Sequence, residues 1–397
     1  MLQAVYKNQT LKAAFILPQD SNDKNSWSGT TYNIYQHLKA QFPDIVLISP
    51  INVENGFLRT LCYLITLPFR AIKGKLCLNL YDSYFLPKAQ SRYIDNYLKY
   101  INIDFIISTN SLPFVFTKNK IPMIIITDAT VKLLYDEYLN GKGWSGLYYK
   151  YLEKNALKVT QKSTLIVSSS TSTASSLIND YKIPASKIVT IPFGANIENE
   201  DIQSPKRIID KTKPVNFLFV GRDWERKGGD FAVSVCDELI KQKVNVHLSM
   251  VGCSIPEKFQ KTYLTNYVFL DKNIKEDFDK LKALYEEAHF FMVFSKAEMY
   301  GIVFCEAAAY GLPVVTFAVG GIIDIVVNEK TGIMLPKETT PEVFASKIAA
   351  LISNSENYRK MSEEARRRYE TLLNWDSFTN TLKSKIYEIL KSNVSQE

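Results

Sequence analysis

The residues best suited to chemistry lie in one stretch, FSKAEMYGIVFCEAAAYGLPVVT (294–316), where Glu298 and Glu306 flank Gly301 with seven residues between the two carboxylates. The apolar run FFMVF (290–294) precedes them, and Gly311 and Pro313 follow. This order reads as buried strand, loop, helix and second strand, with the glycine and proline as helix stop signals. Glu298 then sits in the loop and Glu306 on the first turns of a helix over 301–310. A helix that starts at a glycine leaves its first N–H groups unpaired, here those of residues 300–303, and such a start attracts anions such as phosphate. The carboxylates need another task. Accepting hydrogen bonds from sugar hydroxyls is one, at about 1.5–3 kcal/mol for each charge-assisted bond. An anion-binding helix start between two hydroxyl-reading carboxylates describes a site for a nucleotide sugar.

A second set of candidates lies in VGRDWERKGGD (220–230). Gly221, at the end of a predicted strand, lets backbone approach a ligand, and Arg222 and Lys227 follow it. Two cations there suit a diphosphate and the charge that develops on a leaving nucleoside diphosphate. The alternative is a solvated loop, because Asp223, Glu225 and Asp230 share the segment. Other reactive types have plainer readings. His37, His247 and His289 each fall inside a predicted helix or strand, which leaves no convincing base or metal ligand and argues against a metal-dependent hydrolase. Cys305 lacks a nearby histidine and reads as a core thiol. Arg366, Arg367 and Arg368 read as a solvated helix face. The aromatic residues Tyr135, Tyr138, Trp144, Tyr148, Tyr149 and Tyr151 have helical spacing and suit either a core or a platform for an acceptor sugar.

A scaffold must hold these groups, and at 397 residues the chain exceeds one ordinary hydrophobic core, so two domains are expected. Apolar runs predict strands over 11–18, 44–49, 75–80, 103–109, 123–127, 164–169 and 187–192. A second set follows over 215–221, 244–252, 267–270, 289–294, 313–317 and 332–336. Helical patterns separate them, which implies right-handed crossovers and parallel sheets covered on both faces. The expected fold class is α/β, with two Rossmann-like, doubly wound domains whose carboxyl edges face across a crevice. Residues 1–200 are assigned to the first domain and 201–376 to the second, with the polar stretch 197–214 as linker. The tail over 341–391 reads as helical, interrupted at Asn374, Trp375 and Asp376.

Composition bounds the partners and the compartment. Of the chain, 46% is apolar and 22% charged, as in a globular protein. Five scattered cysteines, Cys62, Cys77, Cys236, Cys253 and Cys305, suit reduced thiols and a cytoplasmic location. No apolar segment reaches the ~18 residues of a spanning helix, and MLQAVYKNQTLK lacks the long apolar core of a signal peptide. The net charge of +7 is spread along the chain without a nucleic-acid module signature, so no nucleic acid is expected as partner. Between Glu54 and Asp82 there is no acidic residue, while Arg59, Arg70, Lys73 and Lys75 flank the apolar LCYLITLPF (61–69). Residues 58–75 therefore have the composition of an interfacial segment for an anionic membrane surface, which would hold the chain peripherally at the inner membrane face. A core helix with a basic edge fits the same composition.

The motifs, in this order, resemble a known family. The GR…KGG segment, the two glutamates with seven residues between them, YGLPVV (310–315), and AVGGIIDIV followed by TGIMLP are similar to retaining glycosyltransferases of family 4 (group 1), which have the GT-B fold. WSGTTYNIYQHL (27–38), TDAT (127–130) and IPFGAN (191–196) extend the similarity into the first half. The resemblance implies that Arg222 and Lys227 bind donor phosphates, Glu306 the ribose hydroxyls, and that Glu298 faces the donor sugar. Tyr300, Gly301 and Ile302 would add backbone contacts. It also implies that the C-terminal helix, about 377–397, crosses back to the first domain with Trp375 at the bend. Gly29 stands where relatives often have a glycine-rich donor loop, although Ser28 also reads as a plain helix cap. Asp128 stands where many relatives carry a histidine, and would either relay the acceptor proton or cap the helix beginning near Thr130. The expected reaction is a retaining, metal-independent transfer of a hexosyl unit from a UDP- or GDP-sugar to a hydroxyl of a glycan, lipid or similar envelope acceptor, without a cofactor. The competing readings are another GT-B enzyme such as a sugar-nucleotide epimerase, and a non-catalytic sugar-nucleotide-binding scaffold.

Overall fold

The computed structural model describes residues 11–73, 80–197 and 208–394. The chain divides into two compact units, one of Met1–Ser26, Thr30–Ile191 and Lys383–Glu397, the other of Trp27–Gly29 and Pro192–Leu382. The division thus falls at Ile191, ahead of the polar stretch expected as linker.

In the first unit, short apolar runs form strands β1 (Ala13–Ile16), β2 (Val46–Ile48), β3 (Phe105–Ser108), β4 (Met123–Thr127), β5 (Leu165–Ser168) and β6 (Ile188–Thr190). They pair in parallel in the order β2-β1-β3-β4-β5-β6. β1, β3 and β5 are buried at every position, as parallel strands covered on both faces must be. Helices α1 (Thr30–Gln41), α2 (Gly56–Lys73), α3 (Leu86–Tyr97), α4 (Gly146–Lys162) and α5 (Thr171–Asn179) accompany them. Ile94 of α3 and Val159 of α4 close over Ile16, Ile106 and Ile125 of the sheet. The strand expected over 75–80 lies outside the described residues except for Leu80, which is helical.

The second unit repeats the design with β7 (Val215–Val220), β8 (Val246–Val251), β9 (Leu264–Tyr267), β10 (Phe290–Met292), β11 (Val314–Phe317) and β12 (Gly332–Leu335). These too are parallel, in the order β12-β11-β10-β7-β8-β9. Helices α6 (Gly229–Lys241), α7 (Lys275–Glu287), α8 (Ile302–Ala309), α9 (Pro341–Ser353), α10 (Ser355–Thr371) and α11 (Trp375–Val394) complete it. From β7 the chain builds outward through β8 and β9, and from β10 outward on the other side. The carboxyl ends of β7 and β10 are therefore a topological switch point, where ligands bind in open α/β sheets.

Three expectations about elements are corrected. β9 ends at Tyr267 and does not run to 270, because Val268 and Phe269 are about half exposed and belong to a loop. Besides the expected interruption at Asn374, the helical tail also breaks at Asn354; Asn354 and Asn374 accept the N–H groups of Asn357 and Ser377 at 3.0 and 2.8 Å as N-caps. Arg366 and Arg368 are not a solvated face. Arg366 donates to the Ala309 carbonyl at the end of α8, and Arg368 to the carbonyls of Asp324 and Ile325, both at 2.6 Å. Cations on terminal carbonyls complement the partial negative charge there. In α11, residues to Leu382 group with the second unit and those from Lys383 with the first.

Candidate functional site

Two loops meet at the switch point of the second unit. The loop after β7 turns into α6, and the loop after β10 leads to α8. They are clamped by backbone hydrogen bonds from Phe294 N to Lys227 O at 3.1 Å and from Lys296 N to Arg226 O at 2.7 Å. Lys227 and Glu298, 7% and 9% exposed, form an ion pair through Nζ and Oε2. Ser295 Oγ donates to the same oxygen at 3.1 Å, and Arg226 Nη1 stands 3.8 Å from it. Gly221 makes room for this pair: a Cβ there would meet Lys227 Cγ at 2.8 Å. The arrangement is a carboxylate fixed by three polar groups, with a lysine held at the mouth of the strand ends.

Gly301 then starts α8 in a left-handed conformation, φ 100°, where a side chain would meet Phe304 Cδ2 at 2.6 Å. The helix is apolar around its circumference except for Glu306, and it is buried from Phe304 to Ala309. Glu306 is 1% exposed, and both its oxygens are engaged: Lys272 Nζ lies 2.7 Å from Oε1, and Tyr285 OH donates to Oε2 at 2.9 Å. Burial, reinforced by the Glu306 charge, pushes the Tyr285 hydroxyl well above the usual phenol range. Tyr285 therefore stays a hydrogen-bond donor to Glu306.

The residue before Gly301 is anchored from below. Tyr300 OH donates to Phe193 O at 2.8 Å, and its ring packs on Phe193, which also stacks on Trp375 and meets Trp27 edge-on. Asn196 bridges this cluster, accepting from Trp375 Nε1 at 3.1 Å and donating to Ser28 O at 2.8 Å. Trp27, Ser28 and Gly29 all have positive φ, of 47°, 58° and 90°. Two consecutive non-glycine residues in that region are strained, a condition that persists only where surrounding contacts enforce it. Gly29, not Ser28, directly precedes α1, which corrects the reading of Ser28 as its cap.

Of the expected residues, Gly221, Lys227 and Glu298 come together at the switch point, and Tyr300, Gly301, Ile302 and Glu306 lie on or beside α8. Arg222 is exposed, with its guanidinium 5.1 Å from the centre of the Phe269 ring. Asp128 lies just past β4 in the first unit, where its carbonyl accepts from Thr173 Oγ1 at 2.5 Å. The helix cap offered to Asp128 is made by Thr130, whose Oγ1 accepts from Leu133 N at 3.1 Å. Tyr135 stacks on Tyr149 and Trp144 at ring separations of 4.4 and 6.0 Å, in a half-buried surface cluster and not a core. Cys305 is fully buried, and burial pushes its thiol up to about 12, which makes it a core thiol. Among the described residues Cys62, Cys236 and Cys253 are buried thiols outside any disulfide as well; Cys77 lies outside them.

Sequence reasoning missed Arg226, Ser295, Lys272 and Tyr285. Arg226 was within reach, since it neighbours Lys227 in the same loop. Lys272 follows a strand whose end was misplaced, and Tyr285 shares its helix face with the buried Leu281, so only its apolar role was legible.

The family of glycosyl transferases group 1 matches residues 200–368, the segment that holds both glutamates. The capsular polysaccharide biosynthesis glycosyltransferase CapM of Staphylococcus aureus is 27% identical over 275 residues, 66% of this chain and 70% of CapM. An uncharacterized glycosyltransferase of Methanocaldococcus jannaschii is 24% identical over 307 residues, 73% of this chain and 84% of that protein. Among solved structures, HepE of Anabaena in complex with UDP shares the fold with a TM-score of 0.64 at 13% identity, covering 95% of this chain and 100% of HepE. The two parallel six-stranded sheets with their helices have the GT-B fold of these structural neighbours, and residues 200–368 match the group 1 glycosyl transferase family.

Proposed function

We propose that the chain is a retaining glycosyltransferase that moves a hexosyl unit from a UDP- or GDP-sugar to a hydroxyl of a glycan, lipid or similar envelope acceptor. The observation that carries this reading is the buried Lys227–Glu298 pair at the switch point, just ahead of the helix that holds Glu306. Burying charge is costly unless it is paired and hydrogen-bonded, and two such pairs beside one helix start suit a charged, hydroxyl-rich ligand. HepE was solved with UDP, which supports a nucleotide donor, and CapM serves capsular polysaccharide biosynthesis, which supports a glycan acceptor.

In this reading Glu306, its oxygens oriented by Lys272 and Tyr285, accepts the ribose hydroxyls. Lys227 keeps two N–H groups beyond its bond to Glu298, and with Arg222 and the first amides of α8 it takes the diphosphate. Glu298 holds a hydroxyl of the hexose. The bond from the sugar's anomeric carbon to the phosphate oxygen breaks while the acceptor oxygen bonds that carbon on the same face. The acceptor proton passes to the departing phosphate. Catalysis rests on positioning and on charge stabilisation by these cations, independent of a metal and without a covalent protein intermediate.

Thermal shift across uridine, guanosine and adenosine diphosphate sugars tests the donor. One base should raise the melting temperature, since a ligand that binds only the folded state stabilises it. No shift with any of them overturns the reading.

A further inference from the structure

A second concave feature lies in the first unit. One face of α3 and the segment 116–121 enclose a cavity of about 670 Å³, within the range of small-molecule sites. α3 leads into β3, and 116–121 leads into β4, so the cavity stands at the amino ends of these strands. That is the opposite edge of the sheet from the one where ligands of open α/β folds bind.

Its wall is basic. Lys88, Arg92 and Lys99, at i, i+4 and i+11, share one face of α3 and the turn after it, and Lys118 joins them from the segment before β4. Asp95 is the one carboxylate among the described residues of the wall, and its oxygens are committed to the loop. They accept from the backbone N–H groups of Lys118 at 2.8 Å and Asn119 at 3.4 Å, and from Asn119 Nδ2 at 3.0 Å. The lysines meet neutral groups instead. Lys88 Nζ donates to Tyr84 OH at 3.1 Å, and Lys99 Nζ to Asn96 Oδ1 at 2.9 Å. Two more cations stand beside the same loop: Lys158 Nζ lies 5.1 Å from the centre of the Phe116 ring, and Lys162 Nζ lies 3.5 Å from Thr117 O. Burial and the Lys158 charge lower the Lys162 ammonium from its ordinary value, as crowded like charges do.

The complement of such a wall is an anion with several acceptor oxygens, which is a phosphate. The rest of the lining is apolar, made by Leu98, Phe116 and Ile121 on the margin of the sheet core. The exposed Tyr93, Tyr97 and Tyr100 lie on the other side of the helix. A hollow with exposed cations at its rim and apolar residues within suits a molecule taken up from solution, not a flat lipid surface.

We propose that this cavity binds a phosphorylated small molecule, with the phosphate on Arg92, Lys99 and Lys118 and an apolar portion against Phe116 and Ile121. The inference stands apart from the transferase reading, because it uses no residue of the donor site.

Phenyl phosphate and inorganic phosphate serve as probes, titrated by calorimetry into the full chain with UDP and GDP in excess to occupy the donor site. Phenyl phosphate should bind more tightly than inorganic phosphate, because its ring gains the apolar wall. Arg92→Ser with Lys118→Ser, both at exposed positions, should weaken that binding at least about tenfold by removing charge-assisted bonds. Asp95→Asn should act in the opposite direction and tighten it, since it takes the negative charge off the wall. Lys99→Ser, which leaves the loop untouched, repeats the first comparison should either of these variants misfold. Equal affinity for the two probes, no binding of either, or binding unchanged in the cation variants overturns the proposal. So does attachment to phosphatidylglycerol vesicles that Arg92→Ser with Lys118→Ser abolishes, with neither probe bound.

Discussion

Lys227 and Glu298 are joined by a buried ion pair across the carboxyl ends of adjacent strands, from loops 71 residues apart. The pair ties the two loops of the switch point together, so its loss acts on stability as well as on chemistry.

Lys227→Ala alone should cost about 3–5 kcal/mol, because it strands the Glu298 carboxylate in the interior. Adding Glu298→Gln removes the stranded charge and should recover a substantial part of that loss. Chemical denaturation of the two single variants and the double variant measures the coupling. Strictly additive losses would mean that the two side chains do not stabilise one another.

Glu306 should govern donor affinity. Glu306→Ala is expected to weaken nucleotide-sugar binding about tenfold or more through lost charge-assisted bonds. Tyr285→Phe should have a smaller effect, since one oxygen of Glu306 remains held by Lys272. Titration calorimetry separates the two, and unchanged affinity in Glu306→Ala would remove its role toward the ribose.

Much of the scaffold was legible because buried parallel strands need uninterrupted apolar runs, and VNFLFV and FFM supply them. The run at Val268 and Phe269 misled for the same reason, since an apolar residue in a loop looks like one in a strand. The pairing of Lys272 with Glu306 was not legible. It joins residues 34 apart through a loop that has no periodicity of its own. Arg366 and Arg368 looked solvated because helical spacing places a side chain on a face but does not reveal which carbonyls that face meets.

Gly301→Ala should destabilise the protein by about 1–3 kcal/mol, the usual range for an enforced left-handed residue. The new methyl group would also press on Phe304, at 2.6 Å. A melting temperature equal to that of the parent would contradict the tight helix start.

Alkaline pH should unfold the protein ahead of any effect on exposed groups. Burial pushes the thiol of Cys305 from 9.0 up to about 12 and that of Cys253 up to about 11, and raises the hydroxyls of Tyr285 and Tyr300 well above their usual range. These groups stay neutral in the fold and ionise more readily in the unfolded chain. Their contribution is complete below the ordinary thiol value and is lost as pH rises through the folded values. Denaturation midpoints should hold to about pH 8 and fall steadily towards about pH 11, and a flat profile over that range would contradict the burial of these groups.

The most direct test of the central claim is release of nucleoside diphosphate from UDP- and GDP-hexoses, compared between the parent chain and Glu298→Gln with binding measured alongside. The proposed reading predicts slow release from one of these donors, unaffected by a chelator and reduced at least about a hundredfold in Glu298→Gln, in line with loss of a group that positions the sugar. Tight binding of a sugar nucleotide with no release from any donor, by the parent chain as by the variant, would contradict it and leave a binding scaffold.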